Sequence, residues 1–181
     1  LPTESPAHRT IRLDEIHAEA RRVPLTTFPA WEISVVAGDA DKCLAWFLKR
    51  GMPEASFAAF EAARIEAKCP FYGQDITDKN LPQEVDRNEQ AISFKKGCYL
   101  GQETVARIDA LGHVNRLLRL VQFEGDTMPA PGAELRTAGK VIGEVTSSTW
   151  SPKFSTPIAL AYVRREHSAP GTVLESAKVV S

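Results

Sequence analysis

From Arg116 to the end, the sequence is a series of short apolar segments separated by glycine and proline, and this constrains the fold most. Arg116–Phe123 (R-L-L-R-L-V-Q-F) is strand-like, Gly125-Asp126 and Pro129–Gly132 read as turns, and Lys140–Thr146, Ile158–Val163, Thr172–Glu175 and Lys178–Val180 read as strands. Strands recurring about every ten residues between Gly/Pro turns predict a small barrel or sandwich. Gly143 lies inside one of these strands, which signals a bulge or a close backbone approach. Upstream of Gly112–Asn115 the pattern is mixed. The expected boundary therefore separates an α+β region, residues 1–113, from a β domain, residues 114–181.

Leu1–Pro6 reads as a loose leader whose two prolines do not build a core. Thr10–Leu13 has the composition of a short strand. Asp14–Arg22 fits either a continuation or one to two helical turns capped by Asp14, and the sequence leaves this open. Trp31–Val36 alternates and then runs apolar, as a strand does. Ala40–Arg50 carries Cys43, Leu44, Trp46, Phe47 and Leu48 at helical spacing, with Asp39 as the expected cap, Gly51 as the stop and Cys43 and Trp46 as core. Ser56–Lys68 reads as a helix capped by Ser56, with Arg64 and Glu66 as surface charges by default. Pro70 breaks it, and Phe71-Tyr72-Gly73 begins a turn. Asp75–Asn88 is polar and irregular, and Pro82 restricts the residue before it, so Glu84 is expected in a stiff, non-helical segment. A carboxylate there is usually solvated, but it can also hold the N–H groups of a ligand.

Ala91–Phe94 returns to alternation and is expected to feed, as a short strand, the stretch F-K-K-G-C-Y-L-G-Q-E-T-V-A-R at Phe94–Arg107. Gly97 and Gly101 predict a tight, exposed turn. Gln102–Arg107 has the composition of a helix start, with Glu103 where free N–H groups favour negative charge. Cys98 then sits ahead of a helix N-terminus with Lys95 and Lys96 behind it, an environment that stabilises a thiolate. The competing reading is a small buried apolar residue, the commonest role of a lone cysteine. His113 has no evident partner and reads as a loop residue.

The 181 residues suffice for one domain or two small ones, and 43% hydrophobic with 25% charged residues fits a globular chain. A formal net charge of -1, with no basic block, gives no support for nucleic-acid or membrane attraction. No apolar run approaches a membrane span. The cysteines, Cys43, Cys69 and Cys98, are odd in number and form no CxxC or Cys/His cluster. Neither zinc, nor a self-contained iron–sulfur site, nor a disulfide framework is signalled, and a reducing, cytoplasmic setting is expected.

Pro82-Gln83-Glu84, Ile92–Tyr99, Gly101-Gln102-Glu103 and Val105-Ala106-Arg107 resemble the signature of YgfZ proteins, folate-binding relatives of the glycine-cleavage T-protein (aminomethyltransferase). Arg64–Ala67 with Pro70–Gly73 resembles the R-x-E-A-G-x-P-x-x-G segment of that superfamily, and Gly143–Ser148 with Ser151-Pro152 and Ile158–Val163 resembles its C-terminal barrel. The resemblance runs from about Trp31 to the end. It implies an aminomethyltransferase-type α+β folate-binding region followed by an antiparallel β-barrel, with tetrahydrofolate as cofactor. It makes Glu84 the carboxylate that grips the pterin ring, Arg107 and Arg116 candidates for the acidic folate tail or for bracing the site, and Cys98 the functional thiol. Relatives carry a further N-terminal region that closes the folate pocket, so the chain is expected to be the C-terminal part of a longer protein. Asp86-Arg87 stand where the family tends to have Asn and an apolar residue.

The role so implied is a tetrahydrofolate-binding accessory factor in maturing or repairing iron–sulfur proteins, with those proteins as clients. Aminomethyl transfer to tetrahydrofolate is the enzymatic alternative, and a non-catalytic interaction module is the third.

Overall fold

The structure is a computed structural model and describes residues 8–93, 95–99 and 101–181. The leader and, within the cysteine stretch, Phe94 and Leu100 lie outside the described residues. The chain divides into two compact units, 1–69 and 70–181.

In the first unit β1 (His8–Leu13), β2 (Ile16–Val23) and β3 (Ala30–Val35) form an antiparallel sheet in that order. The segment whose structure the sequence left open is thus a strand. Its residues alternate between buried and exposed from Ile16 onward, and Asp14 turns the hairpin at φ 55°, a region that Asp tolerates. Helix α1 (Ala40–Leu48) packs Cys43 with Leu13, Ile16 and Ala18, flanked by Trp46 and Phe47. Asp39 stands at the N-cap position of α1 as expected, but its side chain makes no capping hydrogen bond. It closes a 3-10 turn, Ala37–Asp39, and accepts from Lys42 Nζ at 2.9 Å. Helix α2 (Phe57–Glu66) is capped as expected, with the Ala59 N–H donating to Ser56 Oγ at 3.2 Å. Arg64, expected at the surface, is fully buried. Its fork donates twice to Glu61 at 2.6 Å and to the Cys69 carbonyl at 3.2 Å, which compensates for the loss of water.

The second unit opens on a turn around Phe71–Ile76, then a 3-10 turn at Pro82–Val85, the short helix α3 (Asn88–Ala91) and α4 (Gln102–Leu111). The strand expected at Ala91–Phe94 is not formed: Ala91 ends α3, and Ile92 and Ser93 are irregular. The unit continues as a five-stranded antiparallel sheet of β4 (Arg116–Phe123), β5 (Glu134–Thr137), β6 (Lys140–Ser151), β7 (Thr156–Arg164) and β8 (Ala177–Val179), in the order β5-β6-β7-β4-β8. The Glu175 N–H donates to the Arg136 carbonyl at 3.1 Å, which draws the final segment to β5 and curls the sheet into a small barrel. Val121, Leu135, Ile142, Val145, Ala161, Val163 and Val179 fill it. β7 is buried at every residue but Arg164, so it reads as an apolar run rather than an alternation.

Candidate functional site

Glu84 is positioned by local chain geometry. Pro82 starts the 3-10 turn, the Glu84 N–H donates to the Leu81 carbonyl at 2.9 Å, and the carboxylate accepts the Leu81 N–H at 3.2 Å. The side chain is therefore neither in a non-helical segment nor solvated; the residue is 6% exposed. Arg116, the first residue of β4, supplies the counter-charge with a two-pronged contact: Nε to Oε1 at 2.9 Å and Nη2 to Oε2 at 3.2 Å. The Arg116 guanidinium also lies 4.8 Å from the centre of the Tyr162 ring. Its pKa is raised, chiefly by the Glu84 hydrogen bond and against an opposing effect of burial. Burial, and then the charges of Glu84 and Asp75, push the Tyr162 phenol up to about 12, while Arg116 pulls it back.

Neighbouring contacts fix this pair. The Gln83 amide donates to the Val105 carbonyl at 2.9 Å, tying the Glu84 turn to α4. Asp86, at φ 57°, accepts from Arg119 at 2.5 Å, and Arg119 Nε reaches the Ser168 carbonyl at 2.8 Å. The resemblance flagged position 86 as a departure. The structure gives its aspartate a specific arginine.

Asp75, 1% exposed, accepts Thr146 Oγ1 at 2.5 Å and Ser147 Oγ at 2.7 Å on one oxygen and the Phe71 N–H at 2.9 Å on the other. Adjacent hydroxyls can share one acceptor because β6 bulges: Val145 pairs with Ala161 and Ser147 with Leu160, leaving Thr146 as the extra residue. The sequence reading missed Asp75 and Tyr162. The Thr146-Ser147 pair at the end of the Gly143 strand segment was the available signal.

Cys98 is exposed, in the irregular run before α4, and Cys43 and Cys69 are buried. Lys95 and Lys96 are exposed, with the Lys96 ammonium 4.9 Å from the centre of the Tyr99 ring. Gln102 Oε1 accepts the Tyr99 N–H at 3.3 Å, and Gly101 turns at φ 84° into α4. Arg107 is exposed on α4. The structure therefore brings Glu84 and Arg116 into contact, and places Arg107 and Cys98 on solvent-facing positions of α4 and its approach.

Hollows flank the ion pair. One of about 200 Å³ is lined by Gln83, Asp86, Ile108, His113, Leu117 and Arg165 among others. One of about 770 Å³ includes Arg116, Arg164 and Arg165, and one of about 250 Å³ includes Arg116, Tyr162 and Glu144. Glu84 itself lines none of these three. Among the described residues no group of three or more His, Cys, Asp or Glu is placed to hold a metal ion, and no helix is long and apolar enough to cross a membrane.

Cutting the Glu84–Arg116 contact tests its strength. A fully buried pair loses about 3–5 kcal/mol when one partner is removed. The Arg116 side chain is 43% exposed, so water screens the loss. Arg116→Ala is expected to destabilise by about 2 kcal/mol, with about 1 kcal/mol of coupling to Glu84→Gln in a double-mutant cycle read by urea denaturation. Strictly additive single losses would show that the pair contributes nothing.

The curled sheet beginning at Arg116 defines the class of the second unit: residues 116–178 match the glycine cleavage T-protein C-terminal barrel domain. An aminomethyltransferase of Symbiobacterium thermophilum is 34% identical over 146 residues, covering 80% of this chain and 36% of that protein. One from Streptomyces avermitilis is 32% identical over 157 residues, covering 83% and 42%. The crystal structure of glycine cleavage system aminomethyltransferase T from Bartonella henselae shares the fold, with a TM-score of 0.75 at 24% identity over 91% of this chain and 48% of that one. The barrel match and the relatives support the T-protein-like superfamily. The chain spans 36% and 42% of the length of the two curated relatives.

Proposed function

We propose that this chain works in a tetrahydrofolate-binding protein of the YgfZ kind, an accessory factor in the cytoplasmic maturation or repair of iron–sulfur proteins. In this reading residues 1–113 are the folate-binding-type region and 114–181 the barrel domain. The observation that supports it most is Glu84, a carboxylate shielded from water, anchored at the start of the barrel and held in a two-pronged contact by Arg116. Arg116 and the Leu81 N–H already occupy part of its acceptor capacity, and a carboxylate has about four lone-pair positions. Three donors fill about three of these, so a ligand edge with paired N–H groups is accommodated when Arg116 swings to a ligand carboxylate and frees both oxygens. The residues present thus fit a folate. Glu84 would hold the pterin edge, and Arg116 and Arg107 would hold or brace the acidic tail. Bound tetrahydrofolate supplies nitrogen nucleophiles that carry one-carbon units. Cys98 is the functional thiol in this scheme, and its exposure lets a client reach it. A single thiol cannot hold a cluster, so any cluster would take its other ligands from the client.

The names of the relatives favour a second reading, aminomethyl transfer to tetrahydrofolate. Calorimetry with tetrahydrofolate comes first. Saturable binding that weakens about tenfold in Glu84→Gln is expected, a loss of about 1.4 kcal/mol. No binding would favour the interaction module instead. With binding in hand, Cys98→Ser is expected to abolish rescue of a strain with low iron–sulfur enzyme activity. Full rescue by that variant, together with turnover of an aminomethylated carrier protein, would give the function to the transferase.

A further inference from the structure

The end of β4 and β7 that carries the Glu84–Arg116 pair also carries two cations that pair does not use. Arg116 and Arg164 stand directly opposite each other in the antiparallel register, an arrangement that like charges disfavour. Arg116 spends its charge on Glu84. Arg164 and Arg165 are exposed, and neither side chain has an ion-pair or hydrogen-bond partner among the described residues. With Arg116 they line the hollow of about 770 Å³, together with His113 and Asn115. Arg116 and Arg164 also line the adjoining hollow of about 250 Å³, where Tyr162, 6% exposed, has a buried hydroxyl with no partner among the described residues. Two acids also line these hollows, Glu166 the larger and Glu144 the smaller. The only ion pair of either among the described residues is Glu166 with His167 at 3.6 Å.

We propose that Arg164 and Arg165, beside Arg116, form a subsite for an oligoanion, a ligand with several carboxylate or phosphate groups along one chain. A guanidinium fork takes one such group with two parallel hydrogen bonds. A single exposed contact of this kind contributes little, so measurable binding requires several groups on one molecule. Arg164 closes β7 and Arg165 opens the 3-10 turn that follows, so the two project differently and suit consecutive groups of a chain rather than one ion. The idle Tyr162 hydroxyl is a further donor toward the same end of the sheet. The subsite shares Arg116 with the folate reading, but Arg164 and Arg165, which carry the inference, are assigned to no folate there.

The test is calorimetric titration of the protein at low ionic strength with tripolyphosphate and, separately, with an oligoglutamate peptide. Inorganic phosphate serves as the single-group control. Saturable binding of one oligoanion is expected, about tenfold tighter than phosphate and weakened about tenfold in R164Q/R165Q, while K178Q on β8 changes it less than about twofold. The tighter of the two probes identifies the source as a phosphate or a carboxylate chain. R164K/R165K keeps both charges and should bind within about threefold of wild type, which separates lost charge from lost fold. The proposal is overturned if neither oligoanion binds saturably, if R164Q/R165Q binds as wild type does, or if K178Q loses as much. A parallel tetrahydrofolate titration keeps the two readings distinct: folate binding without oligoanion binding sinks only this one.

Discussion

Asp75→Ala is expected to destabilise residues 70–181 by about 3 kcal/mol, because it strands one buried and two partly buried donors at once. The Thr146 and Ser147 hydroxyls and the Phe71 N–H all converge on this carboxylate. Each buried donor left unsatisfied costs about 1–3 kcal/mol. Thr146 recovers part of its loss, since its hydroxyl also lies 3.1 Å from the Leu160 carbonyl. Asp75→Asn separates charge from connection. It keeps one oxygen for the two hydroxyls but turns an N–H₂ toward the Phe71 N–H, so a loss of about 1–2 kcal/mol is expected. Urea denaturation followed by far-ultraviolet circular dichroism reads both variants. A loss below about 1 kcal/mol in Asp75→Ala would mean that water or the Leu160 carbonyl satisfies these groups, and that the 71–76 turn is not pinned to β6.

The β half of the molecule was legible because its signals are local. Apolar runs between Gly/Pro turns marked β4, β6, β7 and β8, and Arg116–Phe123 was read to the residue. β5 is only four residues long and was missed as a separate strand. The helix caps divide by chemistry. Ser56 caps α2, whereas Asp39 found a lysine one turn on and left the α1 N-terminus without its side chain. The errors concern charged groups. Arg64 and Glu84 look like surface residues in a sequence, since burial of a charge depends on a partner: Glu61 three residues away for the first, Arg116 thirty-two residues away for the second. No periodicity encodes the second pairing. The glycine-bounded Cys98 stretch was read from residue type as an exposed turn, and Cys98 is exposed. Asp75 and Tyr162 were not visible, because one sits in a polar loop and the other in an apolar strand, and only the fold brings Asp75 to the β6 bulge and Tyr162 beside Arg116.

Gly143→Ala is the second large effect, with an expected loss of about 3 kcal/mol and a fall in melting temperature of roughly 6–12 °C. A Cβ at this position collides with the carbonyl oxygen of Tyr162, and the Val163 Cα and Leu135 Cδ1 stand only 3.2 and 3.3 Å away. The first two are backbone atoms of β7 and cannot rotate aside. Gly143 pairs directly with Val163, so relief requires β6 to move off β7 just before the bulge that presents Thr146 and Ser147. The damage should therefore reach the site. Tyr162 and Arg164 are the β7 residues that face Leu118 and Arg116 across the ladder, and Arg116 holds Glu84. In Gly143→Ala, removing Arg116 is expected to cost less than in wild type, because the ion pair is already loosened. Non-additivity of about 0.5–1 kcal/mol in that cycle is the diagnostic. A stable Gly143→Ala with an undiminished Glu84–Arg116 coupling would mean that β6 and β7 have slack at this point. The glycine would then be a convenience of the chain rather than a requirement of the barrel.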